Sequence, residues 1–423
     1  MESDEQKDWP YERRNFLGGL VHGGFFQFGA ALSQDATVIP AFIFALTGSP
    51  LLVGAVAAIK RAGAALPQLI FASFLESRRC KRPYLLGVLY LRSAAWFVLA
   101  WVAVTLAPGH PRAAAPLVLA LLGLFYVAGG LGELVYSYLI AGTIPPKRRG
   151  AFFGVRQFLG GLTGVLAGVV SHRLLASPGD LLQEGYGRLF FLTAIAIAVA
   201  GVGFAMMREP TDEETRTVRS LTEYVRESMT RARSSPQFRK LVWLSVGLYS
   251  VYLSFPYFVV FARDRLGEPA AHIGLYVGAI AAGDAVSGIG WGFLGDRRGY
   301  RLVLIGSAAT TLLSTTAAIG AAYWPPLLTV TFGLAGIGLR GADLGVRNYL
   351  LEITSAHLVP TCMALKNTLT APTLAFPLLG GVVVEGLGYL PLFALTGALL
   401  GASLLFAFTI PEPRHRHPEV ASP

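Results

Sequence analysis

Gly292-Phe293-Leu294-Gly295-Asp296-Arg297-Arg298-Gly299-Tyr300-Arg301 places four charges in ten residues between two long apolar runs, near 271–295 and 302–323. A bilayer core takes about 20 apolar residues per helix, so a charged stretch between such runs reads as the turn joining two spans. Gly299 supplies the reversal that a two-residue connection needs. Asp296 stands where the first of these helices leaves the membrane, beside Arg297 and Arg301. A carboxylate there can take arginine forks or the positive N-terminus of a neighbouring helix.

Working outward, the same reading repeats along the chain. Twelve apolar runs lie near 15–45, 50–75, 83–107, 113–141, 150–175, 187–207, 239–262, 271–295, 302–323, 325–350, 358–384 and 388–410. Backbone groups must be satisfied internally in lipid, so helices are expected, and the alternating strands of a membrane barrel are absent. Only 14% of the 423 residues are charged and the mean hydropathy is +0.55, against about 25% charged in soluble domains. This composition excludes a disordered chain, a nucleic-acid module and, with two cysteines, a disulfide scaffold.

The net charge of +10 sorts by loop rather than by patch. With the N-terminus inside, 23 of the 35 Lys and Arg fall on the inner side, five outside and seven within spans. That asymmetry follows the positive-inside rule and puts both termini in the cytoplasm of a multi-pass cell-membrane protein.

The longest break is the basic stretch 208–237. Thr211 and Glu214 read as a capping box, and Val218, Leu221, Val225 and Met229 as the apolar stripe of an interfacial helix. Ser235-Pro236 reads as the cap and first position of the seventh span. The expected domains are a tail over 1–14, a six-helix bundle over 15–207, the linker over 208–237, a second bundle over 238–410 and a tail over 411–423. The bundles carry a weak internal repeat. A shift of 219–220 residues sets Gly48 on Gly267, Gly54 on Gly274, Gly63 on Gly283 and Glu76 on Asp296, and a shift near 212 sets Gly168 on Gly380. Transporter folds are often betrayed by symmetry of this kind; chance matching in a glycine-rich chain is the other reading.

The opening stretch resembles the G-x-x-x-D-R-x-G-x-R loop signature of the major facilitator superfamily. The first half has a degraded counterpart, Ala72-Ser-Phe-Leu-Glu76-Ser-Arg78-Arg79-Cys80-Lys81, in which Glu76 replaces the acid and Lys81 the last base. The resemblance implies an all-α membrane protein of twelve transmembrane helices in two pseudo-symmetric six-helix bundles. Spans 1, 4, 7 and 10 would line a central cavity, with 2, 5, 8 and 11 at its gates. Glu76, Lys81, Gly292, Asp296, Arg297, Gly299 and Arg301 then form a cytoplasmic gate motif, either a conformational latch or a device that fixes loop shape.

Charges inside spans are costly, about 2.5–3.5 kcal/mol each on insertion scales, so they should face protein or water. Arg340, Asp343 and Arg347 share one face of the tenth span. Glu133 of the fourth span falls near the repeat-related position, and a Glu133–Arg340 pair across the cavity is expected. In the first span, Asp35 opens a D-x-T-V sequence that loosely resembles an acid of drug–proton antiporters. For Asp35 and Glu133 the readings are proton coupling or a structural contact. His22 reads as a packing or hydrogen-bonding residue. Lys60, Arg61 and Asp284 could pair at the gates, and Arg92, Arg156 and Lys366 are read as snorkelling or locally paired. Gly160, Gly164 and Gly168 form a small-residue stripe that partly resembles an antiporter motif.

There is no G-x-x-x-x-G-K-[ST] loop, no cluster with metal-ligand spacing and no GxSxG elbow, so neither cofactor nor catalysis is expected. The expectation is a monomeric secondary active transporter moving a small molecule by alternating access, with the proton as coupling ion and export favoured over uptake. Asp35, Glu133, Arg340 and Asp343 carry substrate and proton coupling. The alternative is a passive facilitator or a non-transporting receptor on the same fold.

Overall fold

The computed structural model describes residues 11–76, 80–177, 179, 181–209, 235–354 and 358–415. The expected linker helix over 218–229 lies outside them. Fifteen α-helices follow one another among the described residues: α1 Glu12–Leu32, α2 Val38–Thr47, α3 Pro50–Glu76, α4 Arg82–Trp101, α5 Pro111–Thr143, α6 Pro146–Ala176, α7 Gly187–Met206, α8 Pro236–Tyr249, α9 Tyr257–Asp264, α10 His272–Arg298, α11 Tyr300–Gly320, α12 Leu327–Ile353, α13 Val359–Thr370, α14 Phe376–Leu387 and α15 Tyr389–Ala407. Ten helical segments among the described residues are long and apolar enough to cross a membrane. Several helices open on a proline, whose missing N–H is not needed in the first turn. The cap expected before the seventh span is formed: Phe238 N donates to Ser235 Oγ at 3.3 Å.

Three spans read as single helices are broken. The first divides into α1 and α2 at 33–37. The seventh divides into α8 and α9 through a 3-10 turn at Ser250–Leu253, just before Pro256, and the eleventh into α13 and α14 through Ala371–Ala375. The broken backbone is satisfied locally, as lipid would demand. At the first break, Gln34 O accepts from Val38 N at 2.9 Å and Ile39 N at 3.1 Å, and Ser33 Oγ donates to Gly29 O at 3.0 Å.

The chain forms two compact units. Unit 1 comprises 1–48, 59–218 and 269–278, and unit 2 comprises 49–58, 219–268 and 279–423. Neither is a contiguous stretch. The ten residues 49–58 at the start of α3 belong to unit 2, and shifting them by 220 gives 269–278, the start of α10, which belong to unit 1. The two segments are related by the same shift as the glycine matches of the sequence. Gly48 and Gly267, also 219 residues apart, both lie in turns in the left-handed region, at φ 65° and 64°.

In unit 1, α1 packs on α6 and α7, and α4 on α5 and α7. The core is aromatic, with Trp96 against Phe125 and Phe190, and Phe42 edge-on to Phe190 at 4.8 Å between centroids. In unit 2, α11 packs on α12 and α15, around Leu241, Leu244, Leu304, Ala308, Tyr349 and Leu350. Phe158, Ile289 and Leu405 point outward, an apolar exterior that suits lipid.

Candidate functional site

The helix break of the first span positions one acid in unit 1. Asp35 lies in the 33–37 segment, and its carboxylate pairs with Lys60 Nζ of α3. Lys60 was expected to pair on a gate helix, and its partner is Asp35 of the first span. The Thr37 hydroxyl beside them is fully buried with no hydrogen-bond partner.

A second cluster in unit 1 joins α1, α4, α5 and α6. The guanidinium of Arg92 stands over the Phe26 and Phe125 rings, 5.0 and 4.2 Å from their centroids. Arg156 crosses α1 at Gly23 and stands 5.2 Å from the Tyr136 centroid. His22 packs on Phe204 at 4.1 Å between ring centroids, and its Nδ1 donates to Ala200 O at 3.3 Å. Glu133 is exposed. Neither arginine snorkels away: the Nε atoms of both, and the Tyr136 hydroxyl, are buried and without a hydrogen-bond partner. The aromatic rings hold these cations in place of carboxylates.

In unit 2, Arg340 of α12 lies at the 4.0 Å limit of ion pairing with both Asp284 of α10 and Asp343 of its own helix. Its carboxylates are thus its neighbours within the unit. The expected pairing with Glu133 omitted Asp284, which sequence spacing could not bring to Arg340. Asp343 and Arg347 are exposed. Lys366 of α13 is 8% exposed, and its Nζ donates to the Tyr249 hydroxyl at 3.4 Å. Snorkelling does not describe this residue either.

The motif quoted at the outset forms the last turns of α10 and the first of α11, joined by Gly299 alone at φ 88°. The reversal therefore takes one residue rather than two. Asp296 Oδ1 accepts from the Tyr300 hydroxyl at 3.1 Å, and its backbone carbonyl accepts from Arg414 Nη1 at 2.7 Å. Arg297 lies over the Phe293 ring at 3.9 Å. Arg414 Nε donates to Glu352 at 2.7 Å, and this contact holds the Arg414 guanidinium above its ordinary pKa. Gly292 is part-exposed near the end of α10. The Glu76 side chain lies outside the described residues.

Two carboxylates here were missed. Glu412 accepts from Arg301 N at 3.3 Å at the start of α11, while Arg301 Nη2 donates to Phe408 O at 2.8 Å. In unit 1, Glu209 accepts from Lys81 N at 2.8 Å and Arg82 N at 2.8 Å at the start of α4, while Arg82 Nε donates to Phe204 O at 3.2 Å. Each half thus caps the start of its third span, α4 or α11, with an acid that follows its sixth, α7 or α15. The signal was available, since both acids sit in a Glu-Pro pair, Glu209-Pro210 and Glu412-Pro413. Lys81 itself is buried, with Nζ 5.2 Å from the Tyr138 ring centroid.

The family model described as Major Facilitator Superfamily matches residues 249–422. No curated protein matches the sequence. Among solved structures, a D-xylose-proton symporter is similar with a TM-score of 0.70 at 16% identity, over 96% of this chain and 98% of that one. A bacterial homologue of the iron transporter ferroportin, in an inward-facing state, is similar with a TM-score of 0.69 at 16% identity, over 96% of this chain and 99% of that one. The nucleoside transporter NupG gives 0.65 at 15% identity, over 95% of this chain and 100% of that one. The signature loop thus lies in the region that matches the family model, the solved structures share the fold along nearly the whole chain, and ten helical segments among the described residues are long and apolar enough to cross a membrane.

Proposed function

We propose that this protein is a secondary active transporter that carries a small solute across the cell membrane by alternating access, with protons as the coupling ion. The observation that carries the reading is the Asp35–Lys60 pair set in a break of the first span. Broken spans at membrane depth bring irregular backbone and ionisable groups to transported ions and solutes. Protonation of Asp35 would release Lys60, and Glu133, an exposed acid on a span, is the second proton acceptor. Arg340 with Asp343 supplies the matching charged site in unit 2. We place both termini in the cytoplasm, following the distribution of Lys and Arg. We assign export as the direction, on the glycine stripe of α6. Asp296 acts as a cytoplasmic latch whose contact with Tyr300 changes between states.

The test is flux in proteoliposomes, screened over sugars, nucleosides, amino acids and organic anions. An imposed pH gradient drives movement of at least one solute, and Glu133→Gln abolishes that drive while exchange of labelled for unlabelled solute persists. Flux in the parent protein that ignores the gradient contradicts coupling; no exchange of any solute contradicts transport.

A further inference from the structure

The cluster of Arg92, Arg156, Tyr136 and Glu133 in unit 1 is out of electrostatic balance. It holds two guanidiniums and one carboxylate, and neither arginine has a carboxylate within 4 Å among the described residues. Arg340 in unit 2 has two acids at 4.0 Å. A guanidinium cannot shed its proton, and the rings that hold these two do not neutralise their charge, so each can accept an anion from elsewhere. The fold also makes room for these side chains. A Cβ on Gly129 would stand 3.2 Å from Arg92 Nη2, and one on Gly23 would stand 2.7 Å from Arg156 Cγ. The rings of Phe26, Phe125 and Tyr136 cover guanidinium faces, which leaves the terminal N–H groups as the donors available to a ligand. The buried Tyr136 hydroxyl, without a partner, is a third donor among the same helices.

We propose that Arg92, Arg156 and Tyr136 form the recognition site for the anionic group of the solute, which makes the substrate a small organic anion bearing a carboxylate, phosphate or sulfonate. Arginine forks match the planar or tetrahedral oxygens of these groups, and the ring-lined walls favour an apolar or aromatic body. This inference rests on the transporter reading above and narrows its substrate class.

The experiment is equilibrium binding to the full chain purified in uncharged detergent. The probes are benzoate, phenyl phosphate, benzenesulfonate and inorganic phosphate, with benzamide as the uncharged isostere of benzoate and phosphatidylglycerol as a lipid anion. At least one organic anion binds at least tenfold more tightly than benzamide. Arg156→Gln weakens it at least tenfold, and Arg156→Lys less. Should Arg156→Gln fail to fold, Tyr136→Phe removes only one donor and weakens binding severalfold. Equal binding of benzamide and benzoate, binding by none of the soluble anions, or protection by phosphatidylglycerol alone overturns the proposal. The two readings fail separately. Anion binding without flux in proteoliposomes removes transport and keeps the site; flux of an uncharged solute that Arg156→Gln leaves intact removes the site and keeps transport.

Discussion

Asp35 and Lys60 meet across the break between α1 and α2, an acid from irregular backbone paired with a base from a regular helix. Removing one partner of a fully buried pair costs about 3–5 kcal/mol because the other charge is stranded. Here the side chains are 29% and 39% exposed, so the loss is smaller. We expect Asp35→Asn and Lys60→Gln each to lower the Tm of the detergent-purified protein, and the double variant to lose less than the sum. Additive losses would show that the pair is not coupled.

The paired caps make a second prediction. Glu209→Ala and Glu412→Ala each remove a carboxylate from a helix start in corresponding places. Each should destabilise by about 1 kcal/mol, the usual scale for a lost cap. Comparable Tm shifts in the two halves support the duplication; a shift in only one half contradicts the equivalence.

Three glycines separate backbone strain from steric exclusion. Gly48 and Gly267 are left-handed but have open space where a Cβ would go. Their alanine variants should each cost about 1 kcal/mol, from the backbone alone. Gly299 is left-handed as well, and a Cβ there would run into the Glu412 carboxylate. Gly299→Ala should lower Tm clearly further than the other two; equal shifts would mean that Glu412 gives way freely.

Much of the fold was legible because membrane burial writes itself into composition. Apolar runs gave the spans, Ser235-Pro236 gave a helix start, and Gly48 and Gly267 marked equivalent turns. The break at 250–256 was hidden because largely apolar composition continues through it, whereas the polar run Ser33-Gln-Asp-Ala-Thr37 was absorbed into a long span between two apolar stretches; the bonds that satisfy both breaks are local backbone bonds. Pairings across helices were the other blind spot. Nothing in sequence spacing brings Asp35 to Lys60, Asp284 to Arg340 or Arg92 to two phenylalanine rings. Arg156 and Lys366 looked able to reach water at a helix end, but packing on Tyr136 and Tyr249 holds them instead.

Alternating access is tested most directly by distance measurement between spin labels at Ala151 on α6 and Arg298 on α10, both exposed, in a background with Cys80 and Cys362 replaced by Ser. Two distance populations are expected in lipid, with a ratio that changes between acid and neutral pH and again with Asp296→Asn. A single distance distribution that neither pH nor the variant alters would contradict the account.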